Sequence, residues 1–385
     1  MGKFAGFNLP RNILILSTDD WDRPLWTNKQ QIASRLSSDF NIVYVESLAT
    51  IGRRQRKIGV GSVRVEAGGV TVYRPPSTLP FGQKFWTINR LNIAFIAPGV
   101  RRLLEEKKFV DPILWCYMPN GQPFLPRVPH VLSCYDCVDE FSAFPGAWAG
   151  ATQRMERRLL KSVDVVFTTA RSLYESKSPH NPRTYFVSNS ADFDLFHQAA
   201  TAVPPAEIAA LPKPVIGFVG GINYKIDADF MTRLCRLRPN WSFVFVGPDF
   251  GMFDKHLAGL ANARFWGKRD SAELPAIMSG FDACMIPYVI NRYTHGVLPL
   301  KFFEYLATGK PVITTPMSEL KRFQPLIDIA ATPEEFAAAV ERRLSADVDR
   351  DARIALAKEN SWDHRINQML TILEITYQEK HEARP

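Results

Sequence analysis

"PVIGFVGG" (residues 214–221) is an almost unbroken apolar run that ends in two glycines. Near-continuous apolar strands belong in parallel sheets covered on both faces, whereas a half-exposed strand alternates. The position of the run matters as much as its composition. After it come "WSFVFVGP" (241–248), "ARFWG" (263–267), "DACMIPY" (282–288), "PVITT" (311–315) and "IDIAAT" (327–332), with helical stretches between them. Before it lies an earlier series: "NILILS" (12–17), "FNIVYVES" (40–47), "VTVYRP" (70–75), "ILWCY" (113–117), "HVLSCYD" (130–136), "VDVVFTT" (163–169) and "TYFVSN" (184–189). The Ala- and Pro-rich stretch "FHQAATAVPPAEIAALPKP" (196–214) has no strand character and reads as a linker between the two series. Two successive βαβ arrays predict an α/β chain of two doubly wound, Rossmann-like domains facing a cleft. The expected division is a first domain over 1–200, a linker over 201–213 and a second domain over 214–360. A C-terminal helix within 361–385 would cross back toward the first domain. In such sheets ligands bind beyond the carboxyl ends of the strands.

The 385 residues, 46% hydrophobic and 22% charged, suit two globular cores. No apolar run reaches the roughly 18 residues of a membrane span. The N-terminus has Gly6 where a myristoylation signal needs Ser or Thr, and its apolar segment reads as a first strand. Five cysteines argue against a disulfide framework and for a reducing, cytoplasmic setting. The net charge of +8 is lopsided: residues 1–200 hold 25 Lys and Arg against 17 Asp and Glu, while residues 201–385 hold 22 of each. The excess gathers in "RRQRK" (53–57) and at helical spacing in Arg154, Arg157, Arg158 and Lys161. Two readings stand: an ordinary solvated surface, or one visiting an anionic membrane or lipid-linked acceptor. Nucleic acid is disfavoured, since no zinc-finger, RRM or helix-turn-helix signature accompanies the charge.

Two loops of the second array carry the strongest chemistry. "GFVGGINYKID" (217–227) places Gly220, Gly221, Asn223 and Lys225 after a strand, where the backbone can approach an anion closely. It is neither GxGxxG nor a Walker loop, and a plain tight turn accounts for it equally. "THGVLPLKFFEYLATGKPVITT" (294–315) is more specific: Pro299 suits a helix start and Gly309 its stop. On the predicted helix of about ten residues, Leu300, Phe303, Leu306 and Ala307 form an apolar stripe, with Lys301, Glu304 and Thr308 on the other face. Lys301 and Glu304 could be a weak surface pair. Alternatively, His295, Gly296 and Val297 would offer free amides before the helix, Lys301 would neutralise a diphosphate, and Glu304 would accept two ribose hydroxyls.

"PLKFFEYLATGKPVITT" resembles the donor-binding signature of GT-B-fold glycosyltransferases of family 4, especially their bacterial teichuronic-acid and exopolysaccharide branch. "WDRPLWTNKQQIASRL" (21–36), "YDCVDEFSAF" (135–144), "VDVVFTTARSLYES" (163–176), "YFVSNSADFDLF" (185–196), "GFVGGINYKIDADFM" (217–231) and "NSWDHRINQML" (360–370) resemble, in order, further segments of that branch. The resemblance implies transfer of a sugar from a nucleotide-sugar donor to a polysaccharide or lipid-linked glycan acceptor, with retention and with neither cofactor nor metal. The acceptor domain would be the first, and the enzyme would be cytoplasmic, peripheral at the inner face of the membrane. Glu304 falls on the second Glu of the family's E-x7-E motif, while the first falls on Gly296. The usual Arg and Lys after the first strand of the donor domain are matched only by Lys225, so diphosphate binding would lean on Lys301, the amides of Gly220 and Gly221, and Arg292. "FWGKRDSAELPAIM" (265–278) resembles the segment that holds the base, with Gly267 and Lys268 at its loop. Tyr135 and Asp136 occupy the place of a common His–Asp pair, leaving Asp136 or Asp139 to face the sugar and to act as general base if the reaction inverts.

Other residues keep two readings each. Trp21, Arg23 and Trp26 could stack on and pair with an acceptor, or pack in the core. Cys134 and Cys137 make a lone CxxC, and Asp192 and Asp194 read as loop structure rather than metal ligands. His295 could polarise a ligand or be a plain loop residue. Two other functions remain open at this point: an inactive GT-B scaffold in a polysaccharide assembly complex, favoured by Gly296, and a sugar-nucleotide epimerase.

Overall fold

The structure is a computed structural model that describes residues 2–50 and 61–382, so the basic run 53–57 lies outside the described residues. The chain forms two compact units, Met1–Val187 with Ile366–Pro385, and Ser188–Arg365.

The first unit is built on β1 (Asn12–Leu16), β2 (Asn41–Val45), β3 (Ser62–Val65), β4 (Thr71–Arg74), β5 (Ile113–Cys116), β6 (Leu132–Cys137), β7 (Val165–Thr168) and β8 (Thr184–Phe186). Their order in the sheet is β3-β4-β2-β1-β5-β6-β7-β8. Every pairing is parallel except the edge pair β3–β4. The apolar central strands are buried along almost their whole length, as a sheet covered on both faces requires. The order reverses between β1 and β5, so the loops after these strands flank the switch point.

The second unit holds β9 (Val215–Val219), β10 (Ser242–Val246), β11 (Ala263–Phe265), β12 (Ala283–Ile286), β13 (Val312–Thr314) and β14 (Asp328–Ile329), in the order β11-β10-β9-β12-β13-β14. All five pairings are parallel. Its switch point lies between β9 and β12, which aims attention at the loops following these two strands.

Two expectations are corrected. The chain passes between units at Val187/Ser188, not after residue 200, and the stretch 201–213 is no free linker. Pro205 starts a short helix, Ala206–Ala209, whose Ile208 is fully buried in the second unit's core together with Ala199. The strand β3 was not foreseen, because Val63 and Val65 are exposed on the sheet edge. The long helix Trp362–Glu382 begins in the second unit and from Ile366 belongs to the first, where Lys380 pairs with Asp164 at 2.8 Å.

Candidate functional site

At the carboxyl ends of β9 and β10 two glycines adopt backbone conformations closed to other residues. Gly220 has φ 142° and Gly247 has φ 139°. A Cβ on Gly247 would lie 2.0 Å from the carbonyl oxygen of Gly220, and one on Gly220 would lie 3.0 Å from Nζ of Lys301. The Gly220 amide donates to Val246 at 2.8 Å and the Gly247 amide to Gly267 at 2.8 Å, so three loops meet through bare backbone. Gly247 was not singled out from sequence, although the strand-ending "FVGP" repeats the pattern of "FVGG".

The helix Leu300–Ala307 stands against this shelf, with Pro299 as its N-cap and Gly309, φ 75°, beyond its end. Tyr305 fixes the contact. Its hydroxyl accepts from the Val219 amide at 2.7 Å and donates to the Val219 carbonyl at 3.0 Å, tying the helix to the last residue of β9. One turn earlier, Lys301 donates to the Tyr288 hydroxyl at 2.6 Å and lies 5.0 Å from the Phe218 ring centroid. Tyr288 follows β12, so Lys301 bridges both sides of the switch point.

Lys301 and Glu304 are not a surface ion pair, because no salt bridge joins them and Lys301 is turned toward Tyr288. Glu304 is half-buried, and no described residue donates a hydrogen bond to its carboxylate. Burial pushes its carboxyl up to about 7; Lys301 opposes that rise and Asp192 adds to it. The predicted stripe needs adjustment too: Phe302, Tyr305 and Thr308 are buried, while Leu300 is only partly covered.

The amides expected to be free before this helix are engaged. Those of His295, Gly296 and Val297 donate to Asn291, Tyr293 and Thr294, because Asn291 caps a short helix, Arg292–His295, immediately upstream. The side chains of Arg292 and His295 are exposed. The loop after β9 is zipped to the loop after β12: the Val289 amide donates to Lys225 at 2.7 Å and the Asp227 amide to Pro287 at 2.8 Å. Lys225 lies 5.0 Å from the Tyr293 ring centroid, and Asn223 turns its side chain onto the Lys225 amide. Lys268 is exposed beside Gly267. Thus the structure brings Gly220 and Lys301 together, with Gly221 next in the chain and Glu304 one turn along the same helix; Lys225 and Asn223 follow in the loop after β9, and Tyr288 and Tyr305 join from outside the expected set. Asp192 caps the helix Phe193–His197, which supports its structural reading. Among the described residues no group of three His, Cys, Asp or Glu is arranged to hold a metal ion.

In the first unit, Trp21 is buried against Tyr44, and Trp26 is exposed with its ring 5.3 Å from Trp21. Arg23 pairs with Asp19, which also holds Lys29 at 3.1 Å. Asp136 is fully buried on β6, and Asp139, just past the strand, is half-buried. Tyr135 points to the other face, donating to Glu156 at 2.7 Å, and Glu156 in turn binds Lys177 at 2.7 Å. Cys134 and Cys137 are buried thiols that burial holds in the neutral form, and among the described residues neither belongs to a group of three possible metal ligands.

Two Rossmann-like units, the second with its glycine shelf and lysine-bearing helix at the switch point, define the GT-B class. Residues 213–346 match the family model described as Glycosyl transferases group 1. The chain is 28% identical over 269 residues to TuaH of Bacillus subtilis (strain 168), a protein named for a glycosyltransferase of teichuronic acid biosynthesis; the match spans 64% of this chain and 67% of that one. Among solved structures, sucrose-phosphate synthase of Thermosynechococcus elongatus superposes with TM-score 0.65 at 13% identity, over 97% of this chain and 98% of that one. HepE of Anabaena, in complex with UDP and glucose, superposes with TM-score 0.63 at 15% identity, over 93% and 98%. The chain has the GT-B fold, its second unit matches the glycosyltransferase family model, and it is similar to a relative from the bacterial branch that its motifs pointed to.

Proposed function

We propose that the second unit binds a nucleotide-sugar donor and that the enzyme transfers the sugar to a glycan or lipid-linked acceptor of a cell-envelope polysaccharide. The observation that carries this is the Glu304 carboxyl, free of hydrogen bonds from described residues, one turn from a lysine held over the Gly220 shelf. A carboxylate with two open oxygens suits the two hydroxyls of a ribose, and an ammonium above bare backbone suits a diphosphate. The UDP complex of HepE and the UDP-2-fluoro-glucose complex of the Escherichia coli trehalose-6-phosphate protein support a nucleotide diphosphate as the ligand class. Gly267 and Lys268 would border the base, and Arg292 and His295 the outer side of the diphosphate.

Catalysis then rests on positioning and on stabilising the departing diphosphate, with Lys301 supplying charge where negative charge grows. Retention and independence from metal follow from the family resemblance. Asp139, half-buried at the end of β6, is better placed than the fully buried Asp136 to meet an acceptor. The proposal also places the enzyme in the cytoplasm, with the basic first unit serving the acceptor.

Thermal-shift screening against UDP-, GDP- and dTDP-sugars tests the donor reading, since a ligand of the folded state raises its stability. One sugar nucleotide should stabilise the wild type and fail to stabilise Glu304→Ala and Lys301→Ala, and the same variants should lose transfer. Undiminished stabilisation and transfer in both would overturn it. Anomeric analysis of the product and transfer in the presence of a chelator decide retention and metal use.

A further inference from the structure

We propose that the first unit docks on an anionic lipid bilayer through the outward face of the helix Trp86–Glu106 and the segment leading into it. This helix is apolar on two sides. Its inner face buries Ile93, Ile96, Val100, Leu103 and Leu104 in the core, as an amphipathic helix should. Its outer face should then be polar, yet it carries Leu91 at 61% exposure, Phe95 at 54%, Ala94 and Pro98. Phe81 (56%) and Phe85 (45%) extend the apolar surface from the preceding segment, and Trp148 (45%) adjoins it. Phe81 is held exposed at φ 65°, a conformation that bulky residues rarely adopt. Large apolar side chains exposed this densely along one segment mark an interaction site.

Charge identifies the occupant. Residues 67–108 contain seven Lys and Arg against two acids, Glu105 and Glu106 at the end of the helix. Lys84 lies 4.1 Å from the Trp148 ring centroid and Arg158 lies 4.3 Å from that of Trp86, which binds the patch to the neighbouring helix Ala149–Leu160. That helix adds exposed Arg154 and Arg157, while its only acid, Glu156, is buried and bonded to Lys177. An open depression between the two elements is lined by Lys84, Phe85, Trp148 and Arg154. A second copy of this chain, packed patch to patch about a two-fold axis, would set cation against cation. An anionic bilayer instead takes aromatic and aliphatic side chains at the headgroup boundary and meets the cations with phosphate. No described helix is long and apolar enough to cross a membrane, so the contact lies in the interface plane.

The test is co-sedimentation of the full chain, without nucleotide, with vesicles of phosphatidylcholine alone or mixed in equal parts with phosphatidylglycerol. The wild type should partition onto the mixed vesicles, more weakly as salt rises, and about tenfold or more less onto phosphatidylcholine alone. Leu91→Gln with Phe95→Gln, and separately Arg154→Gln with Arg157→Gln, should each reduce partitioning by about tenfold or more while thermal unfolding is unchanged. Equal binding to both vesicle types, or wild-type partitioning of either double variant, would overturn the proposal. So would a dimer in vesicle-free solution that the Leu91/Phe95 variant abolishes, which would assign the face to a second copy. Because no donor is present, failure here leaves the donor assignment intact.

Discussion

Glu304 is half-buried, with Lys301 one turn away and Asp192 near enough to act on its charge, and burial pushes its carboxyl up to about 7 from 4.5. The ionised carboxylate accepts from both hydroxyls of a ribose, whereas the neutral acid has lost part of that capacity. A nucleotide-sugar diphosphate does not titrate near neutrality, so its affinity should rise as pH increases through 7. Isothermal titration between pH 5.5 and 8.5 checks this, and Glu304→Gln should bind more weakly with a flat profile. Stability runs the other way. Between 4.5 and 7 the folded state holds a proton that the unfolded chain has released, so this residue's contribution falls as pH rises through that window. Glu304→Gln removes that slope, and denaturant titrations should show the variant gaining on the wild type between pH 5 and 8. The possible donor role of this residue was legible from its spacing to Lys301. Its environment was not, because Asp192, whose charge adds to the rise, lies far away in sequence.

The helix Leu300–Ala307 was legible at its ends, since Pro and Gly act locally on the backbone. What aims it was hidden: nothing local marks Tyr305 as the anchor, because its partner Val219 lies 86 positions away. Tyr305→Phe would leave both polar groups of Val219 without that partner in a buried site, at a cost of about 1–3 kcal/mol. Chemical denaturation measures this loss, and because Lys301 rides on the same helix, donor affinity should weaken in the same variant. Gly247→Ala should be worse. Its Cβ would enter the space of the Gly220 carbonyl at a φ of 139°, so β9 and β10 must separate at their ends. We expect a destabilisation of about 2 kcal/mol or more, seen as a lowered denaturation midpoint, together with lost nucleotide-induced stabilisation.

Across the whole chain, the two parallel arrays could be read directly because buried parallel strands are apolar throughout and need no alternation to be seen. The division between them could not. Short helices rich in Ala and Pro have too few turns for a period to emerge, so a segment that seats Ile208 in the second core looked like a linker. The edge strand β3 escaped for the opposite reason, being exposed where strands are usually recognised by burial. Each unit nevertheless owns a separate buried cluster, one around Leu14, Val43 and Leu114, the other around Ile216, Phe243 and Met285. Separate cores imply that a ligand held by one unit stabilises that unit's opening reactions and not the other's. At a sugar-nucleotide concentration of 100 times Kd, the amides of β9, β10 and β12 should exchange about a hundredfold more slowly, because only the folded form binds. The amides of β1, β5 and β6 should exchange at their nucleotide-free rates. Hydrogen–deuterium exchange by mass spectrometry checks both, and equal slowing in the two sheets would mean that the units unfold as one.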